Sequence, residues 1–145
     1  MSFGIYLNED EQALREVLTR SPVIAIVGRS DDHYYSSYEV GEYLKEHGFK
    51  VYSVNPMIEE IDGEPVYPSL KDIPEHVNIV DVFRNSRYLQ EVVDEAIAIG
   101  ADTVWAQQTV IDDEARAKAI QAGVNFAQDL CIRTEHENLL RDLQQ

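Results

Sequence analysis

Apolar residues follow two different patterns along this chain. Short, mainly apolar runs of strand length predict six strands, at about 23–27, 50–54, 65–67, 77–82, 103–106 and 124–126. Apolar residues repeating every three or four positions predict helices over about 8–20, 37–48, 89–97, 112–121 and 134–143. A run such as 23–27, apolar at every position, is typical of a strand covered on both faces, whereas the three-to-four repeat is typical of a helix with one buried face.

The alternation of these strands and helices predicts the α/β class. Parallel strands require crossover connections, and helices in those connections cover both faces of the sheet. We therefore expect a doubly wound, mostly parallel sheet of five to six strands in a single domain spanning 1–145. Too few residues precede 65–67 for a regular crossover, so we expect an edge strand there and leave its direction open.

Charge narrows the classes of partner. The chain has 27 acidic and 12 basic residues, a formal charge of −15, which disfavours binding to nucleic acid and to anionic membrane surfaces. No apolar run approaches the roughly 20 residues that span a bilayer, and residues 1–20 are acidic. We expect a soluble, cytoplasmic protein. The single cysteine, Cys131, excludes an intramolecular disulfide and is compatible with a reducing compartment.

Ligands of open α/β sheets bind beyond the carboxyl ends of the strands. The segments to consider are Gly28–Ser37, Asn55–Pro56, Phe83–Arg87 and Gln107–Val110. The first segment has one glycine, not the three of the dinucleotide fingerprint G-x-G-x-x-G, which disfavours NAD. Its serines, Ser30, Ser36 and Ser37, offer hydroxyl groups beside a helix start, where an anion is favoured. Alternatively, Ser36 or Ser37 only caps the helix.

Two arginines follow strands at the same predicted edge. Arg29 and Arg84 could each bind a phosphate through a bidentate guanidinium or stack on a base. The alternative is that each pairs with a nearby acid, Asp31 or Asp32 for Arg29 and Asp81 for Arg84.

The sequence shows no catalytic constellation. The four histidines, at 33, 47, 76 and 136, have no metal-binding spacing, and a single cysteine cannot supply a structural zinc site. For Cys131 we expect buried packing rather than a role as a nucleophile, and we expect Trp105 in the core and His33 exposed. These features predict a protein that is not an enzyme and holds no metal.

Taken in order, several short motifs resemble those of small single-domain coenzyme A (CoA)-binding proteins. The motifs are 23–30 with Ser36-Ser37, Val54-Asn55-Pro56, Gly63, 80–84, 104–107 and 129–131. The resemblance covers about 22–136 and extends to the CoA-binding domain of the succinyl-CoA synthetase α subunit. It implies a Rossmann-like fold that binds CoA. The phosphorylated histidine of the synthetase belongs to a second domain, so no ligase activity is carried over.

The resemblance also implies where CoA would lie. The phosphates would lie near Gly28, Arg29, Ser30, Ser36 and Ser37, and the adenosine side would be lined by Asn55, Pro56, Val82, Phe83 and Arg84. The chain departs from the family pattern at Asp31-Asp32, at Met57 and at Gln108-Thr109. The two aspartates would weaken binding of an anionic ligand by charge repulsion unless Arg29 offsets them.

Three functions are compatible with these sequence features. We expect non-enzymatic binding of CoA or an acyl-CoA. The alternative is an NAD(H)-binding oxidoreductase or redox-sensing regulator, which is disfavoured because residues 53–55 include no acid to bind a ribose. The third is a subunit that docks on a partner acyltransferase or synthetase.

Overall fold

The computed structural model describes residues 2–145. Its helices are α1 (Glu11–Arg20), α2 (Ser36–Glu46), α3 (Leu89–Ala98), α4 (Asp113–Gln121) and α5 (Ile132–Leu143), with short 3-10 turns at Leu7–Glu9, Leu70–Asp72 and Ser86–Tyr88. Its strands are β1 (Val23–Val27), β2 (Lys50–Val54), β3 (Glu60–Ile61), β4 (Glu64–Tyr67), β5 (Ile79–Val82), β6 (Thr103–Ala106) and β7 (Asn125–Ala127). Within residues 2–145, no helix is both long enough and apolar enough to cross a bilayer.

One sheet contains all seven strands, in the order β3-β4-β2-β1-β5-β6-β7. Every neighbouring pair is parallel except β3 and β4, which form an antiparallel hairpin. The predicted α/β, Rossmann-like fold is therefore confirmed. The chain crosses from one half of the sheet to the other between β1 and β5, and this switch point is where ligands of such folds bind.

The predicted number of strands was too low. The additional strand is β3, a two-residue strand that turns back onto β4 through Asp62 and Gly63, both with positive φ. Because so short a strand has no periodicity of its own, the sequence pattern did not reveal it. It also means that β4, parallel to β2, is not the edge strand that we expected.

The two faces of the sheet are covered by separate apolar clusters. Ala25 and Val27 of β1 belong to the cluster that includes buried residues of α3 and α4. Ile24 and Ile26 belong to the cluster that includes buried residues of α1, α2 and α5. All five residues of β1 are buried, as its unbroken apolar run predicts for a central strand.

Two helix starts differ from the expected ones. Asp10, not Asn8, caps α1 by accepting a hydrogen bond from the N–H of Ala13 at 3.0 Å, while the Asn8 side chain donates to the carbonyl of Gln128 at 2.7 Å. Helix α5 begins at Ile132 rather than near residue 134. Asn and Asp are both favoured at helix N-caps. The contact between the Asn8 side chain and Gln128 therefore explains why Asp10, rather than Asn8, caps α1.

The N-terminal segment lies along β7 at one margin of the sheet. The N–H of Phe126 donates to the carbonyl of Ile5 at 2.9 Å, and Tyr6 forms a parallel bridge with Phe126. Gly4 is required for this approach, since a Cβ there would collide with the backbone of Val124. The segment therefore adds backbone hydrogen bonds to a strand that would otherwise be open on that side.

Candidate functional site

Two adjoining cavities open at the carboxyl ends of β1, β5 and β6. The loop cavity, about 360 Å³, is lined by Gly28, Ser30, Tyr35, Ser36, Ser37 and Phe83. The strand-end cavity, about 490 Å³, is lined by Ser36, Phe83, Arg84, Thr109, Cys131 and Arg133 among others. Ser36 and Phe83 line both, so the two cavities form one continuous site at the switch point of the sheet.

Gly28 allows the loop after β1 to approach β5 closely. Its φ of +88° is in the left-handed region, and a Cβ at this position would lie 2.7 Å from the carbonyl oxygen of Phe83. Its N–H donates to the carbonyl of Val54 at 2.8 Å. A larger residue would therefore push the loop away from β5 and change the wall of the loop cavity.

The serines of this loop have different roles. The Ser37 hydroxyl oxygen accepts a hydrogen bond from the N–H of Ser30 at 2.9 Å, and the Ser30 hydroxyl oxygen accepts one from the N–H of Asp32 at 3.0 Å. The N-cap of α2 is Tyr35, and no side chain caps this helix. Serine capping, the alternative considered above, is therefore not what the structure shows.

The start of α2 leaves several donors available. Within residues 2–145, the backbone N–H groups of Ser36 and Ser37 and the hydroxyl of Ser36 have no hydrogen-bond partner. All three groups lie at the N-terminus of an eleven-residue helix, where the aligned peptide dipoles favour an anion. This part of the site has the chemistry of a phosphate-binding site.

Arg29 does not extend into either cavity, contrary to expectation. Its side chain is buried, with 1% of the residue exposed, and donates to the carboxylate of Glu42 at 2.7 Å, to Ser53 Oγ at 3.1 Å and to the carbonyl of Tyr38 at 3.2 Å. Partial burial acts to raise the pKa of Glu42, but hydrogen bonds from Lys45 and Arg29 hold it below its usual value. Only the backbone of Arg29 remains in the loop, and its guanidinium cannot offset Asp31 and Asp32 at a ligand.

Arg84, in contrast, lines the strand-end cavity. Its guanidinium lies 4.0 Å from the centre of the Tyr88 ring and forms no ion pair with any carboxylate of residues 2–145. The alternative partner, Asp81, is fully buried on β5, and neither of its carboxyl oxygens has a hydrogen-bond partner. Burial, and secondarily the neighbouring Cys131, raise the pKa of Asp81 well above its usual value.

Three other expected residues lie beside the cavities rather than in their walls. The Asn55 side chain donates to the carbonyl of Arg29 at 3.0 Å and accepts from the N–H of Met57 at 2.9 Å. Asn55 thus ties the end of β2 to the loop after β1, and Pro56 next to it is exposed. The Val82 side chain is fully buried in the apolar cluster on the face of the sheet opposite to Phe83, because adjacent residues of a strand face opposite sides of the sheet.

Residues after β6 and before α5 complete the strand-end cavity. Thr109 and Asp129 both have positive φ, +69° and +57°, and the N–H of Thr109 donates to the Asp129 carboxylate at 2.8 Å. Cys131 is half-buried in the cavity wall, not enclosed as expected, whereas Trp105 is fully buried as predicted. The sequence predicts the Gln107–Val110 segment at the site from its place after β6. It includes 129–131 among the motifs of the resemblance without assigning Cys131 to the site, and it does not single out Arg133.

The acidic loop 31–34 is held away from both cavities. Asp31 and Asp32 are exposed and line neither of them. His33, exposed as expected, lies 3.0 Å from Asp62 and stacks on Tyr38 at 4.1 Å between ring centres. A hydrogen bond from Tyr38 to Asp62 raises the pKa of Tyr38 to about 12 and, together with His33, lowers that of Asp62.

Residues 22–137 match the profile of the family described as "CoA binding domain". This chain belongs to that family. A relative of this chain is the uncharacterized protein YneT of Bacillus subtilis, which is 36% identical over 129 residues, covering 89% of this chain and 96% of YneT. The resemblance found from the motifs above is confirmed.

Further relatives of this CoA binding domain protein are parts of larger enzymes. The α subunit of the ADP-forming acetate–CoA ligase II of Pyrococcus furiosus is 37% identical over 73 residues, which cover 50% of this chain and 16% of that subunit.

Among solved structures, a hypothetical protein of Pyrococcus horikoshii is 39% identical, with a TM-score of 0.88 over 97% of this chain and 99% of its own. A redesigned form of the protein PH1109 is also 39% identical, with a TM-score of 0.87 over 90% and 92% of the two chains.

Proposed function

We propose that this protein binds CoA or an acyl-CoA without itself carrying out chemistry on it. The diphosphate would lie at the start of α2, and the rest of the ligand would extend through the two cavities. The observation that carries the proposal is the group of unpartnered donors at Ser36 and Ser37, which opens into both cavities in a member of the CoA binding domain family.

The charges around the cavities support this ligand. The chain has a formal charge of −15, and most of its basic side chains form ion pairs with carboxylates. Arg84, in contrast, lines the cavity without a carboxylate partner among residues 2–145. A guanidinium can bind a phosphate in bidentate fashion or stack on an adenine ring. Because Asp31 and Asp32 line neither cavity, the repulsion that we expected from them would act over a longer distance and through solvent.

The proposal places CoA in this site rather than NAD. A dinucleotide fold of the G-x-G-x-x-G type uses its second glycine to let the pyrophosphate approach the backbone and an acid after the second strand to bind the ribose. Here Ser30 holds the second glycine's position in the loop, and β2 ends in Ser53, Val54 and Asn55. The NAD(H) hypothesis therefore has no observation in its favour, and it serves as an arm of the test.

The test is ligand-dependent thermal stabilisation. The protein should be stabilised by CoA, and less by 3′-dephospho-CoA, NAD and NADP at equal concentration. A ligand present at 100 times its Kd adds about 2.7 kcal/mol to the free energy of unfolding. Stabilisation by NAD but not by CoA would contradict the proposal.

Variants locate the site. Ser36→Ala and Arg84→Ala should each weaken CoA binding, Arg84→Ala by about tenfold or more, because a hydrogen bond to a charged group contributes about 1.5–3 kcal/mol. The matched control is Arg20→Ala, which removes the same charge from the last turn of α1, beside the start of β1 rather than its end. Equal affinity in wild type and both site variants would exclude this location.

A further inference from the structure

We propose that Cys131 captures CoA covalently, as a mixed disulfide formed by exchange with a CoA-containing disulfide. This proposal rests on the proposed function, because the ligand must first bind through its phosphates. It adds thiol–disulfide exchange to the site. A protein that binds CoA would also hold CoA covalently, through a disulfide bond.

The position of Cys131 supports this. Cys131 is the only cysteine of the chain and is half-buried in the wall of the strand-end cavity, at the N-cap of α5. Its side chain makes no capping hydrogen bond. A chain with one thiol cannot form an internal disulfide, so any disulfide of Cys131 needs a sulfur from another molecule.

The connected cavities provide the path for that sulfur. A ligand whose diphosphate lies at Ser36 can continue past Phe83 into the strand-end cavity, because both residues line both cavities. A volume of about 490 Å³ is in the range of small-molecule sites. CoA carries its thiol at the end of a long flexible arm, so this continuation leads the thiol end towards Cys131.

Asp81 is the second observation at this position. It lies on the face of β5 that also presents Phe83, and it is close enough to Cys131 for the two groups to interact electrostatically. Its carboxyl is fully buried and has no hydrogen-bond partner, an arrangement that is costly unless another group completes it. Burial favours the protonated carboxyl, which keeps an unused hydrogen-bond donor near Cys131.

Charges in the cavity wall also suit the reaction. The attacking form of a cysteine is the thiolate. The strand-end cavity is lined by Arg84, which has no carboxylate partner among residues 2–145, by Arg133, which pairs with Glu137 at 3.6 Å, and by one acid, Glu39. The protonated form of Asp81 adds no negative charge next to the sulfur. An anion formed at Cys131 would therefore share its cavity with the unpaired guanidinium of Arg84 in an otherwise acidic protein.

The exchange needs a disulfide as co-reactant and no further oxidant. The Cys131 thiolate, having released its proton to solvent, attacks one sulfur of the CoA disulfide (two CoA molecules joined through sulfur). The bond between Cys131 Sγ and that CoA sulfur forms as the original S–S bond breaks. The second CoA leaves as a thiolate and takes a proton from water, so one disulfide is reduced as another is formed.

The experiment follows this reaction by intact-mass spectrometry and by the CoA thiol that is released. The reduced 145-residue chain is mixed with CoA disulfide or, at the same concentration, with oxidised glutathione. We expect one CoA per chain, one equivalent of released CoA, and reversal by a reductant. The rate with CoA disulfide should exceed that with oxidised glutathione by about tenfold or more, because binding positions the two sulfurs.

Three controls separate capture from ordinary thiol reactivity. Adenosine 3′,5′-bisphosphate, which has no thiol, should slow the reaction with CoA disulfide but not that with oxidised glutathione. Arg84→Ala should do the same. Cys131→Ser should form no adduct but should still be stabilised thermally by CoA.

The outcomes distinguish this inference from the proposed function. If CoA stabilises both wild type and Cys131→Ser, but CoA disulfide reacts no faster than oxidised glutathione or gives no adduct, covalent capture is wrong and CoA binding stands. If CoA stabilises neither protein, the proposed function fails and this inference fails with it.

Discussion

Replacing Gly41 by alanine should destabilise this protein, although Gly→Ala within a helix usually has the opposite effect. Gly41 lies in the middle of α2, where alanine improves helix propensity by about 1 kcal/mol. A Cβ at Gly41, however, would lie 2.5 Å from Arg29 Nε and 2.7 Å from Arg29 Nη2. The buried guanidinium occupies the space that an alanine side chain would need.

The magnitude follows from the contacts that Arg29 would lose. Overpacking a buried site costs about 1–3 kcal/mol, and each hydrogen bond from a charged group contributes about 1.5–3 kcal/mol. Moving the guanidinium away from the new methyl group would lengthen its bonds to Ser53 and Glu42, which are 3.1 and 2.7 Å. After the gain in helix propensity, we expect a net loss of about 2 kcal/mol.

Urea denaturation of a double-mutant cycle measures this effect. With an m-value of about 2 kcal/mol/M, a loss of 2 kcal/mol lowers the midpoint by about 1 M urea. In an Arg29→Ala background the guanidinium is gone, so Gly41→Ala should instead stabilise by about 1 kcal/mol through helix propensity. The predicted reversal of sign isolates the contact between the two residues.

Two results would refute this reasoning. Stabilisation by Gly41→Ala in the wild-type background would mean that Arg29 moves aside without losing its bonds. Equal destabilisation in both backgrounds would mean that Gly41 is required for a reason other than the guanidinium.

Two further predictions concern Asp81 and Thr109. Since burial raises the pKa of Asp81 above its unfolded value of about 3.9, the contribution of Asp81 to stability should fall as pH rises from about 4 towards the folded pKa. Carboxyl groups with lowered pKa values, such as Glu42 and Asp62, contribute in the opposite direction, so only the comparison with a variant isolates Asp81. Asp81→Asn removes this titration, so its stability relative to wild type should increase over that range in denaturation curves, and a constant difference would contradict the shift. Thr109 has a φ of +69°, so Thr109→Gly should be about 1 kcal/mol more stable than the matched Thr109→Ala in urea denaturation. A higher stability of Thr109→Ala than of Thr109→Gly would show that the backbone there is not strained.

Much of this fold was predictable because its strands and helices have strong, distinct periodicities. The unbroken run of β1 and the helical repeat of α3 both correspond to elements within a residue or two. The hairpin of β3 and β4 was not predictable, because two residues carry no period. The start of α1 was misplaced because Asn8 and Asp10 are both good caps, and a distant backbone partner selected between them.

The candidate site was predictable in position but less so in its side chains. The carboxyl ends of β1, β5 and β6 do hold the cavities, as the topology of α/β sheets implies. Which arginine lines the cavity was not predictable, since Arg29 and Arg84 follow strands in the same way. The difference depends on Gly41 and Glu42, which give one guanidinium space and a partner inside the protein. The partial exposure of Cys131 was not predictable, because a lone cysteine has no local pattern.

The strand-like addition of residues 4–6 to β7 bears on self-association. Unpaired margins of a sheet are templates on which other chains polymerise. Here one margin is occupied by the chain itself through Ile5 and Tyr6, and the other is only the two-residue β3. The seven-stranded sheet of this small acidic protein thus exposes few unpaired backbone groups at either edge for fibril growth. Substitution of Gly4 would expose the edge at β7 again.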